Sequence, residues 1–286
     1  MATYQDPWVD DGWIWAYYNV TTTEAATSVI YNTTSVSEME VDGVSITVAA
    51  SYQFSTTGEH LVKFKMSGNS LSNRQFRQIT SLVRMYLPDS ITEMGGGNGQ
   101  HFYHCTGLTF FRFPAHLTNI SYQGFTSCTN LVIKDLSLPE ITSIGSNGFR
   151  FVNVTNIRNL GKVTEISSNY AFANNSSLTT VVLPATLTNI GNNAFNGCGT
   201  IASFTCLGET PPTISTGAFN SATLTKIFVP AKSLQAYKSA TGWSSWANKI
   251  FPLWEETPIA INHLSLGDFR RRIMIGISKR MVVIFN

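Results

Sequence analysis

The sequence predicts a β-rich solenoid of about six stacked units of roughly 23 residues, behind an N-terminal antiparallel β-module. Three observations predict it. Phenylalanine recurs at Phe102, Phe125, Phe149, Phe172, Phe195 and Phe219, with spacings of 23, 24, 23, 23 and 24 residues. Around each of these the same short apolar runs return in the same order. Charged residues are only 13% of the 286 while hydrophobic residues are 43%, and Ser, Thr, Asn and Gly fill the difference. A helical protein exposes faces rich in Glu and Lys; this composition instead suits many turns and polar ladders.

Each unit is justified by the positions it repeats. Leu178-Thr-Thr-Val181-Val-Leu183-Pro184 reads as a short strand with Val181 and Leu183 inward. The proline ends it, because proline supplies no ladder donor. Leu187-Thr-Asn-Ile190-Gly191 forms a second wall, and Ala194-Phe195-Asn-Gly-Cys198 places the Phe against its counterpart in the next unit. Leu108 to Cys128 repeats the scheme, and Ile141–Ile144 and Val163–Ile166 repeat its middle. No unit can bury its apolar side alone, so the stack is the folding unit. The unit near Ile157, Leu160 and Val163 lacks its proline, and the first, Leu82–Pro88, carries the insertion Gly95–Gln100 before Phe102.

The motif of Leu-Pro, Leu-Thr-Asn-Ile-Gly and Ala-Phe-x-Gly-Cys resembles the BspA-like leucine-rich repeats of surface proteins from gut and oral bacteria, protists and some phages. The resemblance covers roughly residues 71–253. It implies a non-catalytic solenoid, and it identifies Leu224–Pro230, then Ser233–Lys238, Trp243 and Trp246, as a closing unit whose short amphipathic helix covers the open end.

Three segments follow: an N-terminal module and cap (1–70), the solenoid with its closing unit (71–256), and a tail (257–286). In the module, Val44–Val48, Tyr52–Phe54 and His60–Met66 alternate with period two around a glycine turn at Ser55–Glu59 and read as antiparallel strands. Ahead of them lies an aromatic, acidic cluster containing Trp8, Trp13, Trp15 and Tyr17. It reads as packing within the module or on a partner subunit, with sugar stacking as the alternative. The tail holds Arg270, Arg271, Arg272, Ile273 and Met274; it is either an anchor in a larger assembly or a strand pair folded back on the solenoid.

The net charge of +2 gives no reason to expect a nucleic-acid partner. No run approaches 18 apolar residues, so no membrane insertion is expected. Met1–Asp6 has neither a basic nor an apolar region, so no secretory leader is expected there. Cys105, Cys128, Cys198 and Cys206 read as small buried residues in repeat slots, without the spacing of a zinc site. His101 and His104 read as an exposed repeat turn rather than as metal ligands. No acid–base pair or nucleophile motif is assembled, so neither catalysis nor a cofactor is expected. The expectation is a structural or adhesive component of a bacteriophage virion, oligomeric, facing other virion subunits or host-surface glycans and proteins. The alternative is a secreted bacterial cell-surface adhesin.

Overall fold

The computed structural model describes residues 8–95, 98–166, 169–215 and 217–253. One wall of the solenoid carries eight parallel strands: Leu82–Tyr86, Phe110–Arg112, Val132–Ser137, Asn153–Asn159, Thr180–Leu183, Ser203–Cys206, Ile227–Pro230 and Ile250–Leu253. The first two belong to one sheet and the remaining six to another, each following chain order. Val181 and Leu183 are fully buried, as their alternation requires, and so are Ile144, Ile166 and Ile190 in the second wall, with Ile214 after them partly exposed. Where the proline is missing, the chain turns through Asn159-Leu160-Gly161. There the Asn159 Oδ1 accepts the Gly161 N–H at 2.8 Å. Gly161 has φ +49°, and a Cβ there would lie 2.5 Å from the Pro139 carbonyl oxygen.

The N-terminal module joins the first repeat directly. Ile14–Val20 pairs antiparallel with Gly58–Met66 on one side and with Leu82–Tyr86 on the other. The exposed edge of the first repeat strand is therefore paired rather than left as a template for another chain. Val36–Val41 continues the sheet beyond Gly58–Met66 and forms a hairpin with Val44–Ile46. That hairpin turns on Asp42 and Gly43, both at positive φ, the backbone that a two-residue hairpin needs. The glycine turn at Ser55–Glu59 does not join paired strands, contrary to the sequence reading; Ser51–Tyr52 pairs with Thr27–Ser28 instead. Ile14–Val20 puts Ile14, Ala16 and Tyr18 on the core face and Trp15 and Tyr17 on the opposite face, where Tyr17 is also buried by its neighbours, so the aromatic cluster is part of a central strand.

The third wall is made of turns centred on the phenylalanines, seven among the described residues. Phe76 opens the row ahead of the six that the spacing reveals, stacking on Phe102 at 5.4 Å between centroids and 3° between planes. From Phe102 to Phe219 the steps are 5.1–5.6 Å, with planes within 11° of parallel. Phe64 closes one end edge-on and Trp246 the other. In every turn the residues two before and two after the Phe have positive φ, for example Gln100 at +60° and His104 at +57°. Alternating right- and left-handed residues point successive peptide N–H groups the same way. Gln100, Phe102 and His104 accordingly donate to the carbonyls of Tyr122, Gly124 and Thr126 in the next turn, at 2.8, 2.8 and 2.9 Å.

In four of the seven described turns, the residue three after the Phe carries a donor that faces the previous turn. The thiols of Cys105, Cys128 and Cys198 donate to the carbonyls of Phe76, Phe102 and Phe172 at 2.8, 3.0 and 3.1 Å. Asn175 fills the same slot, donating to the Phe149 and Phe172 carbonyls while its Oδ1 accepts from the Val154 N–H. The cysteines are buried, as their slots suggest, and they also serve as donors to carbonyls that would lose hydration on folding. Burial pushes the Cys105 and Cys198 thiols up to about 12, which keeps the donor proton in place.

The closing unit follows Ile227–Pro230 as the helix Leu234–Ser239 between two short 3-10 turns. Tyr237 and Trp243 are fully buried. Their polar ends reach the carbonyls of Gly208 and Pro212, at 2.9 and 2.8 Å.

Candidate functional site

The most built-up surface lies on the outer face of the N-terminal sheet. Strand register sets it: Trp15 stands opposite Lys63 on one side and Tyr86 on the other, and Tyr17 opposite Arg84. Phe110 and Arg112 are added by the second repeat strand, opposite Arg84 and Tyr86. Aromatic and cationic side chains therefore alternate across four neighbouring strands, while Ala16, Val62, Phe64 and Met85 fill the core behind them.

Each cation lies on a ring. Lys63 Nζ is 4.9 Å from the Trp15 ring centre and 5.1 Å from that of Trp13, with Lys65 Nζ 5.6 Å from Trp13. The Arg84 guanidinium is 4.1 Å from the Tyr17 ring, and that of Arg112 is 4.0 Å from Trp8. Trp8 stacks on Tyr86, which meets Tyr17 edge-on and packs on half-exposed Phe110. Such contacts fix long side chains before any ligand arrives.

Carboxylates complete the lattice. Asp11 takes Lys63 at 2.7 Å and the Trp15 Nε1–H at 3.1 Å. Partial burial pushes its carboxyl up, but the bonds from Lys63 and Trp15 outweigh that and hold it below its ordinary value. Arg84 pairs with Glu59, and Arg112 pairs with Asp89 at 3.0 Å. Asp89 is likewise lowered: burial opposes, while the Ala115 N–H and Arg112 prevail. The result is a rigid, nearly charge-balanced aromatic face. Chemically it can stack and hydrogen-bond; it holds no activated nucleophile.

The sequence marked Trp8, Trp13, Trp15 and Tyr17, and the fold brings all four to this face. It did not mark Lys63, Arg84, Tyr86, Phe110 and Arg112, whose neighbours are decided by strand register alone. The six marked phenylalanines all lie in the core ladder. Arg270, Arg271, Arg272, Ile273 and Met274 fall outside the described residues.

The expectation of an exposed turn holds for His104 and fails for His101, which is fully buried with its Nδ1 2.7 Å from the Ser121 hydroxyl. Burial lowers the His101 imidazole to about 4, so it sits in the wall uncharged. Among the described residues, no three His, Cys, Asp or Glu side chains come together as metal ligands, and no helix is long and apolar enough to cross a membrane.

A leucine-rich repeat protein from Bacteroides ovatus ATCC 8483, solved by crystallography at 1.19 Å, is 20% identical with a TM-score of 0.42. The similarity covers 59% of this chain and 48% of that one, so this chain spans about half the length of the protein it matches. No curated protein matches the chain. The BspA type leucine rich repeat region matches in six copies, over residues 18–98 and 97–226. Its reach back to residue 18 takes in the last three residues of the strand that pairs with the first repeat. With most of the sequence inside that match, the chain belongs to the BspA-type leucine-rich-repeat family.

Proposed function

We propose that the chain is a non-catalytic recognition protein that works on an exposed surface, adhering through the aromatic–cation face of its N-terminal sheet. The observation that carries this is the pre-ordering of Trp8, Trp13, Trp15 and Tyr17 by Arg112, Lys63, Lys65 and Arg84. A ligand meeting this face immobilises few new rotamers, and rigid aromatics with arginine are the side chains that dominate binding energies. Membership of the BspA-type repeat family supports a surface setting.

The finer reading is a component of a bacteriophage particle, assembled as an oligomer, with residues 257–286 as the anchor. It is motivated by the basic, apolar composition of that segment. Family membership favours a bacterial cell surface as the second reading. Labelled protein, with and without residues 260–286, applied to intact gut bacterial cells tests the recognition role. Binding that survives truncation and disappears in Trp13→Ala/Trp15→Ala supports it; no binding by either form refutes it. Peptides of this chain in purified phage particles support the virion setting, and their absence there together with presence on protease-shaved cells overturns it. Light scattering of the purified chain decides between oligomer and monomer.

A further inference from the structure

The turn wall differs in charge from the rest of the molecule. The seven phenylalanine turns, residues 73–80, 98–106, 121–129, 145–152, 169–176, 191–198 and 217–222, contain no Asp or Glu. They do contain Arg74, Arg77 and Arg150. Arginines on the strand wall all have carboxylate partners: Arg84 with Glu59, Arg112 with Asp89 and Arg158 with Asp135. Among the described residues, the three turn-wall arginines form no ion pair.

They are held by aromatic rings instead. Arg150 lies between two, 4.8 Å from the Phe151 ring centre and 4.7 Å from that of Tyr170. Its Nη1 donates to Asn147 Oδ1 at 3.3 Å. Arg77 lies 5.5 Å from the Tyr103 ring. The Nε of Arg77 and of Arg150 is buried against the wall, so it is the Nη groups of these stacked guanidiniums that can meet a carboxylate or similar anion.

The rings flanking Arg150 are expensive for the fold. Phe151 has φ +56° and Tyr170 φ +68°, a backbone that bulky side chains avoid. Phe151 is also 41% exposed. The equivalent position in the other turns holds Gln78, His104, Ser127, Asn174, Gly197 and Ser221. An aromatic there takes on strain and exposure without filling the core, the pattern of residues kept for contact rather than stability.

We infer that the turn wall, through Arg77, Tyr103, Arg150, Phe151 and Tyr170, binds a linear acidic polysaccharide laid along the solenoid axis. This rests on the reading of the chain as a recognition protein, and adds to it a second face and a ligand class. Sugar rings stack on the half-exposed aromatics, and their carboxylates meet the unpaired arginines. Charge density favours this over nucleic acid. Arg77 and Arg150 are separated by three ladder steps of 5.1–5.5 Å, far sparser than the roughly 1.7 Å of axis per phosphate in a duplex. A sugar chain with an occasional carboxylate matches the sparser spacing.

The test is calorimetric titration of the full chain with polygalacturonate, hyaluronan and chondroitin sulfate oligomers, with neutral dextran and oligo-dT as controls. At least one acidic polysaccharide binds, weakening by about an order of magnitude as salt rises fourfold. Arg77→Gln/Arg150→Gln and, separately, Phe151→Ser each weaken it about tenfold or more without lowering the unfolding midpoint. Trp13→Ala/Trp15→Ala leaves this binding unchanged. Absence of binding to all three acidic oligomers, binding indifferent to the arginine and Phe151 changes, or equal affinity for oligo-dT overturns the inference. Cell attachment lost in the tryptophan variant but intact in Arg77→Gln/Arg150→Gln, with no oligosaccharide bound, leaves the recognition role standing and removes only this track. Polysaccharide binding without cell attachment does the reverse.

Discussion

Replacing Phe149 by Ala tests the phenylalanine row at its centre. The ring is fully buried and stacks on Phe125 at 5.5 Å and on Phe172 at 5.4 Å, with a third contact to Phe113 at 6.2 Å. Truncating a buried Phe costs about 3–5 kcal/mol through lost transfer energy and the cavity left behind. Two parallel stacks place this site near the top of that range, since each aromatic pair adds about 0.5–1.5 kcal/mol beyond burial. Neighbouring turns are also bound by peptide hydrogen bonds along the wall, so the hole cannot close by letting two turns approach. Urea unfolding of the wild type, Phe149→Ala and Phe219→Ala measures the difference. Phe219 keeps as many ring contacts, one stack on Phe195 and edge-on contacts to Phe204 and Trp246, so its truncation costs about as much, to within about 1 kcal/mol. A solenoid couples only neighbours, so the central variant also splits the transition in two. A single transition for the central variant with a loss under about 2 kcal/mol, or losses at the two sites that differ by more than about 2 kcal/mol, refutes the reasoning.

Three further outcomes are expected. Burial lowers His101 to about 4 from an ordinary 6.5, so the unfolded chain binds this proton first as pH falls. The stability is complete above about 6.5 and drains by roughly 3 kcal/mol as pH falls to about 4; thermal melts across this window show it, and His101→Asn flattens it. Cys105, Cys128, Cys198 and Cys206 are all buried, so a thiol reagent labels none of them in the native protein and all four in urea. Asn175→Leu strands the Val154 N–H and the Phe149 carbonyl and lowers stability by about 2–4 kcal/mol in urea melts; Asn175→Asp also loses the amide donors, whereas a cost under about 1 kcal/mol for either variant contradicts the assignment.

The solenoid was legible because a stack must repeat its sequence to repeat its contacts. Phe76 escaped because the insertion after Gly95 displaces it from the regular spacing, although its ring is in register with the others. The segment from Trp13 to Tyr18 was read by composition, as an aromatic cluster. Its period-two alternation of Ile14, Ala16 and Tyr18 against Trp15 and Tyr17 also marks a strand. What no local pattern encodes is which strands lie on either side, and that pairing brings Lys63 and Arg84 onto the rings. His101 was misplaced for a related reason: residues one before the Phe face inward, and only a neighbouring hydroxyl, Ser121 twenty residues on, makes a polar ring acceptable there. The Arg150 sandwich was likewise hidden, because Tyr170 reaches it from the next turn.

The one-way hydrogen bonding of the turn wall gives the molecule a polarity. In a β-ladder neighbouring peptide dipoles largely cancel; here those of successive turns add, as they do along a helix. The negative pole lies at the first turn, where the Gln75 carbonyl takes the N–H groups of Tyr31 and Asn32, and that of Asn73 takes the Asn32 amide. The positive pole lies at the turn around Phe219. A second copy seeking to lengthen the row would have to offer donors to the first turn, and Tyr31 and Asn32 already hold those acceptors. The module that begins the solenoid therefore also blocks extension of the row at this end.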